Sequence, residues 1–552
     1  MLTRFLFAFW ATCAFGTDFV GNQACSTCHR AVFNAYARTP MAQSSGKVEF
    51  MDRRESFVSA EFLGARGSFS YKVRPDYKFE FAELGPVNAG KPPLVGLRDL
   101  AFFVGSGAAA RTFLIESGGF LFESPATYYR RSNSWNASPG FESLNYPYLN
   151  RPIVPGCLQC HASGIQAKSG TLNGYEATPF LENGVACERC HGAGGDHVAY
   201  FGDSRRTTPM PAAAKMVNPA KLAPPARDSI CAQCHLSGDV RVPKAGKQDG
   251  QTLTPGELLS DLLTVFLRRS SPAEVRVTSH VENLAQSACK RASGDKLWCA
   301  TCHDPHTTPE PATAAAYFRG KCLSCHQVRD CSGSQQTRRA NGDNCTACHM
   351  PRGPASDVEH VVFTDHSIRR KPASPVSSRS TSPAASELVP YPSYTTTIRD
   401  LSLAYAAVAL RDRNDIDRQR AFALLKQAAE QGTADPTALV YLAEFYRDDK
   451  DDAHALPIYE QVWRMDRTQY AAAAALGAYQ MQRGNTAGAI EFWKAALASN
   501  PAMTLVRVNL AAALLRTGQV DEAKAMLQKA LELNPISPEA RELLDRIPGT
   551  SN

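Results

Sequence analysis

Residues 184–197 read GVACERCHGAGGDH, and the CERCH segment within them is one of seven Cys-x-x-Cys-His motifs in this chain of 552 residues. Only 13 residues of the chain are histidine, so seven of them placed directly after a Cys-x-x-Cys pair are not a coincidence. The pattern is the attachment signature of a c-type haem, in which two thiols form thioether bonds and the histidine becomes an axial iron ligand. A Cys-x-x-Cys pair can also be half of a zinc site or a redox dithiol, but neither explains the adjacent histidine.

The sequence therefore predicts seven covalently bound c-type haems, and we number the motifs 1 to 7 in chain order. The cysteines predicted to hold the porphyrins are Cys25, Cys28, Cys157, Cys160, Cys187, Cys190, Cys231, Cys234, Cys299, Cys302, Cys322, Cys325, Cys345 and Cys348. The predicted proximal iron ligands are His29, His161, His191, His235, His303, His326 and His349. Haem carries redox chemistry, and the protein sets the ligands, spacing and polarity around it.

The net charge of +7 gives no reason to expect a nucleic acid as partner. Seven haems would bring fourteen propionates and seven positive ferric cores, which together cancel the charge of the polypeptide. Outside the motifs and the N-terminal segment, the chain has two further cysteines, Cys289 and Cys331. In an oxidising compartment, an even number of cysteines outside the motifs favours a disulfide. The alternative is two buried thiols.

The N-terminal sequence MLTRFLFAFWATCAFG is typical of a signal peptide, with Arg4 before an apolar stretch and cleavage expected after Gly16. An uncleaved anchor would need about 18–20 apolar residues. A lipid anchor on Cys13 would follow a poor lipobox. No later segment of the sequence is long and apolar enough to span a bilayer. We therefore expect an exported, periplasmic bacterial protein whose mature chain has no transmembrane span.

Changes in sequence pattern divide the rest of the chain into three parts. Residues 17–370 hold all seven motifs, and within them residues 48–135 alternate apolar and polar side chains as half-buried strands do. Residues 56–62 predict one such strand, and residues 111–116 and 120–123 predict a hairpin. Residues 371–394 are rich in Pro and Ser and predict an extended linker. Residues 395–552 form a third part with a different periodicity.

Small residues recur every 34 positions in this third part. The first register is Ala421, Ala455, Ala489 and Ala523, and the second is Ala409, Ala443, Gly477 and Ala511. A third, Ala428, Ala496 and Ala530, is broken by Val462. Small residues at fixed positions let paired helices approach closely, and the period resembles the tetratricopeptide repeat (TPR). Residues 470–537 match best, 402–435 form a degenerate first repeat, and 539–547 predict a capping helix. The predicted fold is mainly α: a haem-packed cytochrome domain with few regular elements and a β-rich insertion, followed by an α-solenoid.

A second, distal ligand decides whether a haem transfers electrons or can bind a substrate. Five histidines of the motif-bearing region lie outside the motifs: His197, His280, His306, His360 and His366. Each is a candidate distal ligand, against the alternative of a surface or hydrogen-bonded residue. His306 follows His303 by three positions and is expected on the same side of that iron, so we assign it to a neighbouring haem.

Five histidines cannot provide a distal ligand for each of seven haem irons. Met41 is the best additional candidate, because a thioether can ligate haem iron, whereas Met210, Met216 and Met350 are weaker candidates that could simply pack. The count leaves up to two haems without a distal ligand. His235 of motif 4 is the first candidate for an open site, since no spare histidine follows it closely.

Motifs 2 and 3, over about residues 150–200, resemble the cytochrome c-554 family, which is related to hydroxylamine oxidoreductase and the pentahaem nitrite reductases. The resemblance rests on CLQCH at 157–161 and on the CxxCHGxGxxH core that ends at His197. It implies that His197 is a distal ligand of another haem and that the haems of motifs 2 and 3 are closely stacked. The nitrite reductases use a CxxCK motif, which this chain lacks. The hydroxylamine oxidoreductases use a tyrosine crosslink that the sequence cannot locate.

Three classes of function are open at this point. The first is an exported electron-transfer protein that uses seven haems and docks a redox partner protein through its TPR domain. The second is an oxidoreductase of nitrogen or sulfur compounds, with one five-coordinate haem. The third is an assembly scaffold in which the repeats are the main function. Deletion of residues 395–552 would separate the third from the first, since a pure carrier should keep its haem spectrum.

Overall fold

The computed structural model describes residues 19–52, 54–58, 60–64, 67–84, 94–142, 151–269, 276–370 and 386–547. The predicted signal peptide and most of the predicted linker lie outside these residues. Within them, no helix combines the length and the apolar character that crossing a membrane requires. Helices account for 45% of the structure, and several sheets accompany them.

The predicted β-rich insertion forms two antiparallel sheets, one of four strands in the order β2-β3-β4-β5 and one of five in the order β1-β6-β7-β8-β9. The strands are β1 Ser45–Lys47, β2 Glu61–Leu63, β3 Phe69–Val73, β4 Lys78–Glu83, β5 Val95–Asp99, β6 Phe102–Val104, β7 Ala110–Ser117, β8 Phe120–Tyr129 and β9 Ser134–Ala137. Alternate side chains of β3 and β4 are buried, which is the pattern that the sequence predicted. The hairpin of β7 and β8 was predicted as well.

One predicted strand is shorter than expected. The alternating stretch began at Ser56, but pairing starts only at Glu61, where β2 begins. The indole of Trp135 donates a hydrogen bond to the Ser56 carbonyl at 2.9 Å, so that carbonyl is not available to a strand partner. The Phe57 ring packs edge-on against Tyr77, with centroids 5.4 Å apart. Phe57 is therefore partly buried against an aromatic cluster and is not part of a paired strand.

The motif-bearing region contains more regular structure than we predicted. Its helices are α1 Asn22–Ser26, α2 Arg30–Tyr36, α3 Pro155–Gln159, α4 Glu188–His191, α5 Gly195–Gly202, α6 Pro224–His235, α7 His280–Gln286, α8 Ala288–Ser293, α9 Cys299–Cys302, α10 Pro311–Leu323, α11 Gln335–Ala340 and α12 Cys345–His349. Further strands are β10 Ala162–Ala167, β11 Tyr175–Asn183, β12 Val240–Pro243, β13 Leu263–Arg268, β14 Arg352–Pro354, β15 Val362–Thr364 and β16 Leu388–Pro390. Most of these helices are only one or two turns long, which is why the sequence carried little periodicity.

The described residues from 398 to 545 fold into four antiparallel helix pairs and a ninth, capping helix. The helices are α13 Ile398–Asp412, α14 Asp415–Glu430, α15 Pro436–Asp448, α16 Asp452–Met465, α17 Tyr470–Gln482, α18 Thr486–Ser499, α19 Thr504–Arg516, α20 Val520–Leu533 and α21 Pro538–Asp545. The four alanines of the first register are fully buried. The small residues thus face the neighbouring helices, as the repeat period predicted.

Gly477 interrupts the alanine register for a steric reason. A fourth register of buried side chains places Leu425, Tyr459, Trp493 and Leu527 at the same 34-residue spacing. Trp493 carries the largest of these side chains. A Cβ atom on Gly477 would lie 2.5 Å from its indole ring, closer than atoms can approach. Glycine therefore occupies the position that faces tryptophan.

The solenoid begins on the motif-bearing region. Strand β16 pairs with β13, so residues 388–390 of the predicted linker over 371–394 belong to a sheet. Val242, Phe266 and Leu388 share one buried cluster with helices α13 to α15. The Arg268 guanidinium forms an ion pair with Asp417 at 2.6 Å, and both side chains are almost fully buried.

The other end of the solenoid packs on the β insertion. Leu533 belongs to the same buried cluster as Phe79 and Phe113 of the sheets, and Ile536 packs against that cluster. Arg98 donates a hydrogen bond to the Glu532 carbonyl at 2.9 Å. Between the two ends, the Leu172 amide donates to the Ser499 carbonyl at 2.8 Å. The repeats are therefore attached to the rest of the molecule at several points and do not hang from one linker.

Candidate haem-binding cavity

All seven motifs line one cavity of about 3090 Å³. Every cysteine and histidine of the motifs borders it, with the exception of Cys157. A site for one small ligand typically has a volume of about 300–1,000 Å³, so this cavity is large enough for several. Seven motifs spread over more than 300 residues of sequence thus converge on a shared space.

Local helix geometry explains the spacing within a motif. The amide of the motif histidine donates to the carbonyl of the first cysteine, as His29 does to Cys25 at 2.9 Å and His191 to Cys187 at 3.0 Å. Motifs 5 and 6 repeat this bond. Residues four apart lie on one face of a helix. The first thiol and the imidazole are therefore presented to the same side, where one porphyrin edge and its iron could meet both.

Four of the histidines that line the cavity are oriented by backbone carbonyls through Nδ1. His191 bonds Val217 at 2.8 Å and His349 bonds Arg369 at 2.7 Å. Among the candidate distal ligands, His197 bonds Ala214 at 3.0 Å and His366 bonds Thr364 at 2.9 Å. This arrangement fixes the ring and its tautomer and leaves Nε2 to bind a metal.

Two pairs of imidazole rings have the separation expected of two axial ligands on one iron. The ring centroids of His191 and His306 are 6.0 Å apart with 15° between the planes, and those of His303 and His366 are 6.2 Å apart with 29°. Metal–nitrogen bonds of about 2.0–2.1 Å place two imidazole centroids across one metal ion roughly 6 Å apart. The cavity residues therefore fit haem iron. His306 lies against the histidine of motif 3 and not against that of motif 5, and its role as a distal ligand stays a prediction.

Motif 4 has a neighbour that the sequence did not suggest. The ring of His280 lies 4.9 Å from that of His235, the first candidate for an open site, and is nearly perpendicular to it at 88°, closer than two axial ligands of one iron would be. The open site at His235 stays a prediction. Burial lowers the pKa of His235 to about 4 and the pKa of His280 to about 3, so both rings are neutral at pH 7. Neutral imidazole is the form that binds metal. The sequence could not show this contact, because His280 begins helix α7, 45 residues after His235.

The buried Nδ1 atoms of His161, His235 and His280 have no hydrogen-bond partner among the described residues. Leaving such an atom unpaired costs about 1–3 kcal/mol. Iron bound at Nε2 would leave these Nδ1 atoms unpaired as well, so they do not by themselves indicate a haem.

The remaining candidates divide into two groups. Met41 and His197 line the cavity, as do Met216 and Met350. His360 does not: its Nε2 contacts the Asn136 amide at 3.2 Å, and it borders a smaller, neighbouring cavity. His360 lies in the loop of the β14–β15 hairpin, where its backbone is left-handed with φ 64°.

Thiol contacts show which motifs are neighbours. Cys25 lies against Cys187 and Cys160 against Cys234, which joins motifs 1 and 3 and motifs 2 and 4. Further contacts, between Cys231 and Cys299 and between Cys322 and Cys345, join motifs 4 and 5 and motifs 6 and 7. The family resemblance implied a close pair of motifs 2 and 3. These two motifs are also in contact, because Arg189 of motif 3 donates to the Gln159 carbonyl of motif 2 at 3.0 Å, and the stacking of their haems stays a prediction.

Zinc is the main alternative use of such cysteines. No cluster of three or more potential metal-ligating His, Cys, Asp or Glu side chains occurs in the described part of the chain. The predicted Cys289–Cys331 disulfide is absent as well: both are free, with Cys289 half-buried and Cys331 exposed. Cys289 lies near Cys302 and Cys322.

Tyr36 is a cavity residue that the sequence did not single out. Its hydroxyl donates to the Val185 carbonyl at 2.6 Å, and its ring lies edge-on to His306 with centroids 6.4 Å apart. It is one of 18 tyrosines, and no motif marks it. Only the folded chain brings it between motifs 1 and 3.

Two known families match separate parts of this chain. Residues 142–192 match the model of the family cytochrome c554 and c-prime. Residues 480–547 match the tetratricopeptide repeat. The two matches agree with the resemblances read from motifs 2 and 3 and from the 34-residue period. No curated protein matches the chain.

Solved structures similar to this chain are TPR proteins. A crystal structure of MamA is 19% identical, covers 27% of this chain and 82% of its own, and has a TM-score of 0.22. YrrB, described as a TPR protein with an unusual peptide-binding site, is 17% identical, covers 26% and 73%, and has a TM-score of 0.22.

Proposed function

We propose that this protein is an exported c-type cytochrome that transfers electrons along seven covalently bound haems. The observation that carries the proposal is the convergence of all seven motifs on one cavity. The match to cytochrome c554 and c-prime supports c-type haem. The contacts between thiols of different motifs support close neighbouring sites, which transfer between cofactors requires.

The roles of the polypeptide follow from the contacts around the cavity. The thiols would hold each haem covalently, and the motif histidines would bind its iron through Nε2. When bound, haem supplies one-electron redox chemistry. Backbone carbonyls such as those of Val217 and Arg369 keep the imidazoles in one orientation. The TPR domain would bind a partner protein, as TPR domains generally do.

Intact mass and haem content of the purified protein test this proposal. We expect a mass increase of seven haems that denaturation does not remove, a pyridine haemochrome value of seven per chain, and an N-terminus at Thr17 after export. The Cys187→Ala/Cys190→Ala variant should lose one haem, whereas Cys289→Ala should keep seven. A mass without covalent haem, or zinc bound in its place, would refute the cofactor assignment.

A second candidate function is an oxidoreductase of nitrogen or sulfur compounds with an open haem. Among the described residues, histidine rings lie against the rings of His191, His235 and His303, but not against those of motifs 1, 2, 6 and 7. Of the other candidate histidines, His197 alone remains in the cavity. The haem irons of three motifs would thus have methionine as their second axial ligand, or no second ligand from the protein.

Electron paramagnetic resonance of the ferric protein separates the two candidates. A pure carrier gives low-spin signals that do not change with nitrite or hydroxylamine, and its reduced form does not bind CO. An enzyme gives a high-spin fraction of about one haem in seven or more, which shifts when these ligands are added.

A further inference from the structure

A second cavity, of about 460 Å³, opens beside the large one and is lined by cationic side chains. Arg130, Arg131, Arg352 and His360 border it. The two cavities share the lining residues Ala108, Ala109 and Val361. We call this space the arginine mouth, because three arginines border it and it adjoins the large cavity.

The arginine mouth has a concentration of positive charge. None of its three arginines forms an ion pair within the described part of the chain. Arg130 donates a long hydrogen bond of 3.4 Å to the Arg54 carbonyl, which is uncharged. The nearest carboxylate contact belongs to His360, whose Nε2 lies 3.9 Å from Glu359. Three guanidinium groups therefore face one small space with their charge available.

Two strands position the backbone of these residues. Arg130 and Arg131 directly follow strand β8, and the Arg130 amide donates to the Ala109 carbonyl at 2.9 Å. Arg352 is the first residue of β14. The His360 ring packs edge-on against buried Tyr129, with centroids 4.9 Å apart, despite a left-handed backbone that costs a non-glycine residue energy. The backbone around the arginine mouth is thus ordered, and the arginine side chains themselves are exposed.

We propose that the arginine mouth binds a carboxylate or a small oxyanion beside the large, motif-lined cavity. Guanidinium groups bind such anions through paired, charge-assisted hydrogen bonds. Two sources offer this chemistry: a propionate of a haem inside the cavity, or a free anion from solution. The first source rests on the proposed function, whereas the second does not.

Isothermal titration calorimetry with sodium sulfate and sodium nitrate, at constant ionic strength, tests the free anion. The Arg131→Gln/Arg352→Gln variant is compared with the wild type and with Arg205→Gln, whose side chain is 94% exposed and borders neither cavity. For a free anion we expect saturable binding that weakens about tenfold or more in the double variant only.

Resonance Raman spectroscopy of the same proteins tests the propionate. If a propionate occupies the arginine mouth, calorimetry shows no saturable binding, and the propionate-bending band shifts in the double variant but not in Arg205→Gln. A double variant that matches the wild type in both measurements would overturn the inference. If the chain holds no haem, the Raman measurement reports failure of the proposed function, and calorimetry still decides on the free anion.

Discussion

A single hydrogen atom in place of a methyl group distinguishes Gly477 from the alanines in its register. The Trp493 indole fills the space that the methyl group would need. We expect Gly477→Ala to lower the free energy of unfolding by about 1–3 kcal/mol, because a packed core resists added volume. Gly320→Ala in helix α10 is the control, since nothing lies within 4 Å of its Cβ. Gly320→Ala should raise the free energy of unfolding by about 0.5–1 kcal/mol. Equal effects in urea denaturation would contradict this explanation.

Glu123 makes stability depend on pH. Burial raises its pKa from 4.5 to about 7, although Arg151 at 3.3 Å partly opposes the shift. The folded chain therefore holds this proton more tightly than the unfolded chain. As pH rises from about 4.5 to about 7, the free energy of unfolding should fall by about 3 kcal/mol, and the contribution is constant above that range. Urea denaturation should show that Glu123→Gln removes this part of the pH dependence, while exposed Glu116→Gln keeps it.

At the residue scale, the sequence identified local features and not contacts between distant parts. The proximal histidines were predictable because each lies in a five-residue motif. The partner of His191 is His306, more than a hundred residues later, and no spacing rule connects the two. His360 was a reasonable candidate by count, but its loop directs the ring to Asn136 and the arginine mouth.

At the scale of elements, the buried pair of Arg268 and Asp417 connects strand β13 to helix α14. Asp417→Ala would leave a guanidinium buried without its main partner, which typically costs about 3–5 kcal/mol. The matched control is Glu542→Ala, since Glu542 and Arg546 form an ion pair with both side chains about two-thirds exposed. We expect less than about 1 kcal/mol there. Denaturation midpoints that fall equally in the two variants would show that the buried pair does not connect the elements.

The elements that the sequence predicted are those that pack against their own chain. Strands β3 and β4 alternate because one face meets an aromatic core, and the repeat helices keep small residues where neighbours touch. Helices such as α9 and α12 gave no such signal, because they are four and five residues long and border the cavity. A helix that borders a cavity and not a side-chain core needs no apolar stripe of its own.

At the scale of the whole molecule, the solenoid forms part of the core. Truncation before residue 395 would expose Val242, Phe266 and Leu388 and leave Arg268 without its buried partner. We therefore expect the truncated protein to aggregate or to lose haem and protease resistance, rather than to retain its spectrum and lose only docking. Size-exclusion chromatography, haem content and limited proteolysis would measure this. A soluble, fully loaded truncated chain would show that the interface is dispensable.

Attachment at both ends also fixes how many repeats the protein can have. A free solenoid can gain or lose a unit during evolution, because each repeat contacts only its neighbours. Here the first helices pack on β12, β13 and β16, and the loop before the capping helix packs on the aromatic sheets. Duplicating or deleting one 34-residue unit would move Leu533 out of register with its pocket. The distance between the two attachment sites therefore constrains the number of repeats in this protein.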